Sequence, residues 1–329
     1  MTAWGITGVG AFAPDLVVGN DQIAAELDVD PDWIERYTGI RQRRRTPPAH
    51  ASSDLAAEAA RRALADAGRD IGEIGLIIVG TSTPDELGPS TACRVQALLG
   101  VRDIAVLDVG AACAGYLYGL RVARDWLAAE SPAACALVIG VEVYTRFLDP
   151  RDRATAVLFG DGAGATVVSA VPDGYGIASV TLGADGTLAD HVLIPAGGSR
   201  LPSSRESVDS GAHHITMDGR AVRGVMEDRF PRLVDQVLDD HELTLDDIDL
   251  LVPHQPNPRA LQRFAGEIGL PMERVVIIGE TLGNIGAASI PSALAEAKRN
   301  GRIKPGDRIL AIAVGAGMTW GSALLRWAP

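Results

Sequence analysis

The chain has 329 residues and is 47% hydrophobic, enough for a large buried core in one wide domain or two fused halves. Its net charge of -12 argues against nucleic acid as a partner, and three cysteines without CxxC or Cys/His spacing argue against a disulfide framework or a structural metal site. No charged segment leads into an apolar leader, and no run of about eighteen apolar residues occurs, so a cytoplasmic protein, neither secreted nor membrane-bound, is expected.

Residues 4–18 alternate apolar and small side chains around Gly5, Gly8, Gly10 and Pro14, as a first strand and its turn do. Asn20-Asp21 caps a short helix through Leu27, and Asp30-Pro31-Asp32-Trp33 starts another that ends at Gly39. Arg41-Gln42-Arg43-Arg44-Arg45 is a local basic patch in an acidic chain. Ser52-Ser53-Asp54 opens an Ala-rich helix reaching about Gly68. The run Ile74–Gly80 is too apolar for a half-exposed strand and predicts one covered on both faces. After the loop Thr81–Pro89 and a helix carrying Cys93, a β-branched run (Ile104, Val106, Leu107, Val109) meets a cluster of small residues. A helical pattern (Tyr116, Leu117, Leu120, Trp126, Leu127) leaves it, which sets Cys113 at a strand-to-helix turn. Free N–H groups and a helix dipole at such a turn favour thiolate over thiol, and the Ala and Gly neighbours let a carbonyl approach. A small buried core cysteine is the alternative, and the stretch alone does not choose between them.

The second half repeats this order. The segment 64–81 is echoed by 238–255, and the Cys113 helix with its following strand (134–142) is echoed by 283–317. The expected organisation is therefore a duplicated α/β unit, residues 1–172 and 173–329, joined where Pro172-Asp173-Gly174 breaks the pattern. On that alignment the Cys113 turn corresponds to the turn holding Asn284, and His254 stands past the C-terminal end of a buried strand, where ligands gather in open α/β sheets. Taken singly, His254 reads as a structural histidine and Gly283-Asn284-Ile285-Gly286 as a plain turn. Taken jointly they can converge with Cys113 in one pocket. Gly160-Asp161-Gly162-Ala163-Gly164 has the glycines of a dinucleotide loop, but a strand rather than a helix follows it. His213-His214 reads as a surface pair.

The segments "DVGAACAGYLYGL", "VPHQPNPR", "GNIGAASIP" and "GAGMTWGSALLRW", with "WIERYTGIRQRR" and "DRATAVLFGDGAGA", resemble β-ketoacyl-acyl-carrier-protein synthase III, a condensing enzyme of the thiolase superfamily, essentially from end to end. The resemblance implies a thiolase-like αβαβα fold of five layers in two pseudo-repeated halves, working as a homodimer. It implies acyl transfer from acyl-CoA to Cys113, an oxyanion hole of the Cys113 and Ala316 backbone N–H groups, and decarboxylation of malonyl-acyl carrier protein (malonyl-ACP) with the enolate held by His254 and Asn284. Acyl-CoA is a substrate; no permanently bound cofactor is expected. Trp33 and Arg153 match the pair that sandwiches the adenine of coenzyme A, Asn257 a contact of the pantetheine arm, and Arg259 a basic residue near the entrance. Arg220 and Arg223 stand at positions that are often uncharged in the tunnel, or else point to solvent.

In the acyl pocket, set by Leu87, Gly88 and Val314, Gly88 replaces a Phe that usually reaches across the dimer, and Val314 replaces a Phe of some relatives. These departures imply a starter longer or bulkier than acetyl, for fatty-acid or polyketide and other secondary metabolism. Two rivals remain: an acyltransferase on the same scaffold, with an alcohol or amine as acceptor, and a non-catalytic ketosynthase partner.

Overall fold

The computed structural model describes residues 2–131 and 133–329. Five strands form the first sheet: Ala3–Phe12 (β1), Ile74–Gly80 (β2), Ala105–Val109 (β3), Cys135–Val143 (β4) and Asp161–Val171 (β5), in the order β1-β5-β4-β2-β3. The chain then crosses at Pro172–Tyr175 into a second sheet of Gly176–Ala184 (β6), Leu250–Pro253 (β7), Arg308–Gly315 (β8) and Thr319–Arg326 (β9), in the order β7-β8-β9-β6. Pairing directions match between the sheets: β1/β5 and β5/β4 are antiparallel and β4/β2 parallel, as are β6/β9, β9/β8 and β8/β7 respectively. Where the second sheet would carry the counterpart of β3, Val275 makes one parallel bridge to Leu251. The repeat inferred from sequence pattern is thus visible as a repeated topology.

Helices complete five layers. Gly115–Leu127 (α1) packs on both sheets, against β2, β4, β6 and β9, and Ser289–Arg299 (α2) does likewise against β1, β5 and β7. These two lie between the sheets. Ser52–Ala67 covers the outer face of the first sheet, and Gly219–Asp240 with Pro258–Ile268 covers the second. Because β2 and β4 are covered on both faces, their interiors read as unbroken apolar runs and every residue of β4 is buried. Each fully buried Leu or Ile in these layers stabilises the fold by roughly 1.5–3 kcal/mol. Local signals also act as expected: Asp30 caps Pro31–Thr38 by accepting from Asp32 N–H, and Gly39 ends it at φ 78.

Two expectations need correction, those for the Arg41–Arg45 run and for His213-His214, while the Gly160–Gly164 motif leads into a strand as expected. The Arg41–Arg45 run is not a surface patch, because Gln42–Arg45 pairs with Leu16–Gly19 and turns Arg43 inward, fully buried. There its guanidinium donates to Asn20 Oδ1 and Val157 O, and burial lowers it to about 10. The Gly160–Gly164 motif opens β5, with Gly160 taking the Leu282 carbonyl and Gly164 the Ser292 amide so closely that a Cβ would lie 2.2 and 2.5 Å from them. His213 and His214 are half-buried against each other, ring centroids 4.0 Å apart.

The α1 and α2 layer meets the sheets at glycine. A Cβ at Gly80 would stand 2.8 Å from the Gly115 backbone, and one at Gly140 2.1 Å from the Ala287 carbonyl oxygen. Gly140→Ala should therefore lower stability in urea melts by about 1–3 kcal/mol, whereas Gly19→Ala, with open space around it, should leave the midpoint nearly unchanged.

Candidate active site

Cys113 lies in a short 3-10 turn, Ala112–Ala114, between β3 and α1. The preceding Ala112 adopts φ 45, a left-handed conformation that costs an alanine energy of order 1 kcal/mol. It is held there by neighbours from the other half. Thr319 Oγ1 donates to the Ala111 carbonyl at 2.8 Å, and the bare Cα of Gly315 abuts the turn so closely that a Cβ would lie 2.7 Å from Cys113 N. The second-half turn, Gly286–Ala288, leads into α2 as the Cys113 turn leads into α1, and the two turns touch.

A cavity of about 930 Å³ opens over this junction and is lined by Cys113, His254, Asn284 and the Val314–Ala316 end of β8. His254 follows β7 and is buried; its N–H donates to Ile312 O at 2.7 Å, and its Nδ1 lies 3.3 Å from Ser289 Oγ. Burial drives the imidazole down to about 3, against an opposing backbone hydrogen bond with Gly286. The ring is neutral throughout the physiological range. Next to it Gln255 is wholly buried and spends its amide on Pro253 O, Val276 O and the N–H groups of Ile278 and Gly279, which fixes the strand end. Asn284 Oδ1 accepts from Gly286 N–H at 2.9 Å. The amide orientation is thereby set, leaving its NH2 as the group available to a ligand.

Burial works against the thiolate expected at this turn. Packing around the sulfur, and then the charge of Glu142, push the Cys113 thiol up to about 12. Glu142, in β4, is completely buried, accepting from Ser82 N–H (3.1 Å), Thr83 Oγ1 (3.0 Å) and Ala287 N–H (3.4 Å), yet burial still raises it to about 8. Tyr144, two residues on, lines the same cavity as Cys113. Sequence reading missed Glu142, Tyr144, Gln255 and Ser289. The one available signal was a Glu inside an apolar strand, since a charge there needs partners.

Six arginines rim the open end: Arg36, Arg153, Arg220, Arg223, Arg259 and Arg263, all exposed, with Glu227 the one acid among the described lining residues. Arg220 and Arg223 therefore face the cavity. Asn257 lines it too, although its Oδ1 is spent capping Pro258–Ile268 at Ala260 N–H. Trp33 does not line it: Tyr37 stacks on its ring at 5.5 Å and 9°, so Tyr37 is the aromatic presented at the rim, where it accepts from Arg223. Val314 lines the interior, but Leu87 and Gly88 do not. Leu87 is 86% exposed on its loop and Gly88 has open space where a side chain would be, because this loop projects from the fold.

Residues 107–186 match the family model described as 3-oxoacyl-[acyl-carrier-protein (ACP)] synthase III, and residues 238–327 its C-terminal model. A β-ketoacyl-[acyl-carrier-protein] synthase III of Symbiobacterium thermophilum is 45% identical, covering 98% of each chain. Among solved structures, the 3-oxoacyl-(acyl carrier protein) synthase III of Pseudomonas aeruginosa superposes with a TM-score of 0.90 at 40% identity, covering 99% of both chains. The priming β-ketosynthase of the R1128 polyketide pathway superposes at 0.89 and 34% identity, covering 100% of this chain and 97% of that one.

Folding depresses the His254 imidazole from 6.5 to about 3, so the unfolded chain takes up that proton first and stability is lost as pH falls below about 6.5. Urea melts between about pH 7 and about pH 4 should show an acid slope that is shallower in His254→Gln. Ring NMR signals of His254 should not titrate between about pH 5 and about pH 8.

Proposed function

Since the chain belongs to the 3-oxoacyl-[acyl-carrier-protein] synthase III family and is a condensing acyltransferase, we propose that Cys113, His254 and Asn284 carry its reaction, with acyl-CoA as donor and malonyl-ACP as acceptor. One observation supports this most directly. Strand and helix ends from both halves bring the three side chains to a single cavity, with Asn284 Oδ1 already tied to Gly286.

In this reading the Cys113 sulfur attacks the thioester carbonyl, and coenzyme A leaves. The backbone N–H groups of Cys113 and Ala316, adjoining at the Gly315 contact, face the developing oxyanion. Malonyl-ACP then loses carbon dioxide. Its enolate oxygen is met by two neutral donors, the Asn284 NH2 and, with Ser289 donating to Nδ1, the His254 Nε2–H. Neutral donors suit this step, because a cationic imidazolium would give up its proton to the enolate. Carbon attack on the acyl-enzyme closes the cycle. An alcohol or amine acceptor would leave the Asn284 donor without a task.

The cationic rim of a chain of net charge -12 favours phosphate and acidic-carrier partners, and Arg153 and Tyr37, both on that rim, are our candidates to hold an adenine ring. We further infer a homodimer built on β3, the open edge of the first sheet, whose five residues are all half-buried. The projecting Leu87-Gly88 loop then closes the partner subunit's acyl pocket, and a Gly at that point, with Val314 inside, leaves room for a starter larger than acetyl. Among the described residues no helix is long and apolar enough to cross a membrane.

Intact-mass spectrometry with an acyl-CoA panel should show one acyl group on wild type and none on Cys113→Ser, with branched or medium chains outpacing acetyl; preference for acetyl refutes the larger starter. Carbon dioxide release from malonyl-ACP should fall roughly 10²–10³-fold in Asn284→Ala; unchanged release would remove Asn284 from the enolate's donors, and no release from wild type would favour simple acyl transfer. Arg220→Glu or Arg223→Glu should raise KM for malonyl-ACP roughly tenfold with kcat little changed, an effect that shrinks as salt is added.

A further inference from the structure

Asn284 can serve an enolate only if its amide stays in place, because a group displaced by about 1 Å loses much of its effect. Its backbone is bracketed on both sides: Asn284 N–H donates to Leu158 O at 2.8 Å, and Gly160 N–H donates to Asn284 O at 3.0 Å. Its side chain is tied forward, Oδ1 accepting from Gly286 N–H at 2.9 Å. The amide is therefore only as fixed as the Gly286–Ala288 turn, and that turn rests on β4.

Successive side chains of a strand point to opposite faces, so Gly140 and Glu142, with Tyr144 just past the strand end, share one face. All three meet the turn. Gly140 admits the Ala287 carbonyl, whose oxygen would lie 2.1 Å from a Cβ there. Gly286 in return is bare at φ 50, and a Cβ on it would stand 2.8 Å from Glu142 Cγ and 2.7 Å from Tyr144 Oη. Glu142 Oε1 accepts from Ala287 N–H at 3.4 Å. The other oxygen, Oε2, is held by the first half through Ser82 N–H at 3.1 Å and Thr83 Oγ1 at 3.0 Å, and Tyr144 Oη donates to Ser82 Oγ at 3.3 Å. Those loop residues are anchored in turn. Ser52 Oγ donates to Thr83 O at 2.5 Å, and Ser53 donates its N–H (2.9 Å) and hydroxyl (2.6 Å) to Asp85. Glu142 is completely buried and is not among the described residues that line the cavity, so it acts on a substrate through the turn rather than by contact.

We propose that Glu142 is a positioning residue for decarboxylation, clamping the Gly286-Ala287 turn to the Ser82-Thr83 loop so that the Asn284 NH2 is aimed at the enolate oxygen. This rests on the reading of Asn284 as an enolate donor. Acylation draws on other supports. Gly315 abuts Cys113 N, Thr319 Oγ1 holds the Ala111 carbonyl, and among the described residues no hydrogen bond joins Glu142 to the Ala112–Ala114 turn. A carboxylate suits the clamp because it only accepts. Glutamine keeps the shape but must set an NH2 against either the Ala287 N–H or the Ser82 N–H, leaving a buried donor unpaired.

Acylation and decarboxylation are read separately. Full-length enzyme is first loaded with whichever of acetyl-CoA, isobutyryl-CoA and octanoyl-CoA acylates Cys113 fastest, followed by intact mass. It is then mixed with malonyl-ACP in a single turnover that records carbon dioxide. Glu142→Gln should acylate no more slowly than wild type and release carbon dioxide roughly 10²-fold more slowly. Thr83→Val removes one donor to Glu142 at a residue outside the described cavity lining and should slow the same step several-fold. In an Asn284→Ala background neither substitution should cause a further loss, since the group being positioned is gone. If Glu142→Gln does not fold, Thr83→Val decides by the same comparison. Wild-type release in the deciding variant, acylation slowed as much as release, or losses that multiply with that of Asn284→Ala overturn the clamp. Unchanged release in Asn284→Ala alone refutes the enolate-donor reading instead, and no acylation of wild type by any of the three thioesters refutes the acyl-CoA donor.

Discussion

At Gly140 and Gly80 the sheet backbone touches the backbone of the turns that enter the two central helices, closely enough that a Cβ would collide at 2.1 and 2.8 Å. Everything chemical depends on that contact. It lets the Cys113 and Gly286 turns meet, and Gly315 then brings the end of β8 onto Cys113 N in the same manner. Side chains at these points would push the turns apart, and three groups from distant parts of the chain would no longer meet in this geometry. Glu142 secures the junction by accepting hydrogen bonds from Ser82 and Thr83 of one half and Ala287 of the other.

The cavity has opposite electrostatic ends. Its rim carries six exposed arginines, while its floor holds Cys113 and His254, with Glu142 buried outside the lining, each driven by burial toward its uncharged form. A charged rim draws phosphates and an acidic carrier from a distance without placing a cation beside the reacting carbonyl. A neutral, poorly solvated floor makes each fixed N–H dipole worth more when negative charge develops on a substrate oxygen. The same burial works against forming a thiolate. A nucleophile at a helix start gains from the dipole, and desolvation acts in the opposite direction on Cys113.

Periodicity and chain order carried the architecture. Apolar runs such as Ile74–Gly80 announced strands covered on both faces, and the echo of 64–81 in 238–255 announced the repeated topology, because a duplicated unit must bury the same faces in the same order. Signature segments carried Cys113, His254 and Asn284, and the small residues around Cys113 showed that backbone could come close to it. Arg43, read as part of a basic patch, shows the limit: alternation along Gln42–Arg45 sends one arginine inward, and whether a partner awaits it is a fact about Asn20 and Val157.

By itself, then, the amino-acid sequence determined the fold, the family resemblance and the identity of the candidate nucleophile and enolate donors, since these follow from local pattern and residue type. Tertiary structure alone decided the protonation landscape and the cavity's lining. The height of the Cys113 thiol, the neutrality of His254, the placing of Tyr144 on the Cys113 cavity, and the stacking of Tyr37 on Trp33 all arise from neighbours remote in sequence or from side-chain packing. Burial and pairwise charge are properties of the assembled space, and no reading along the chain contains them.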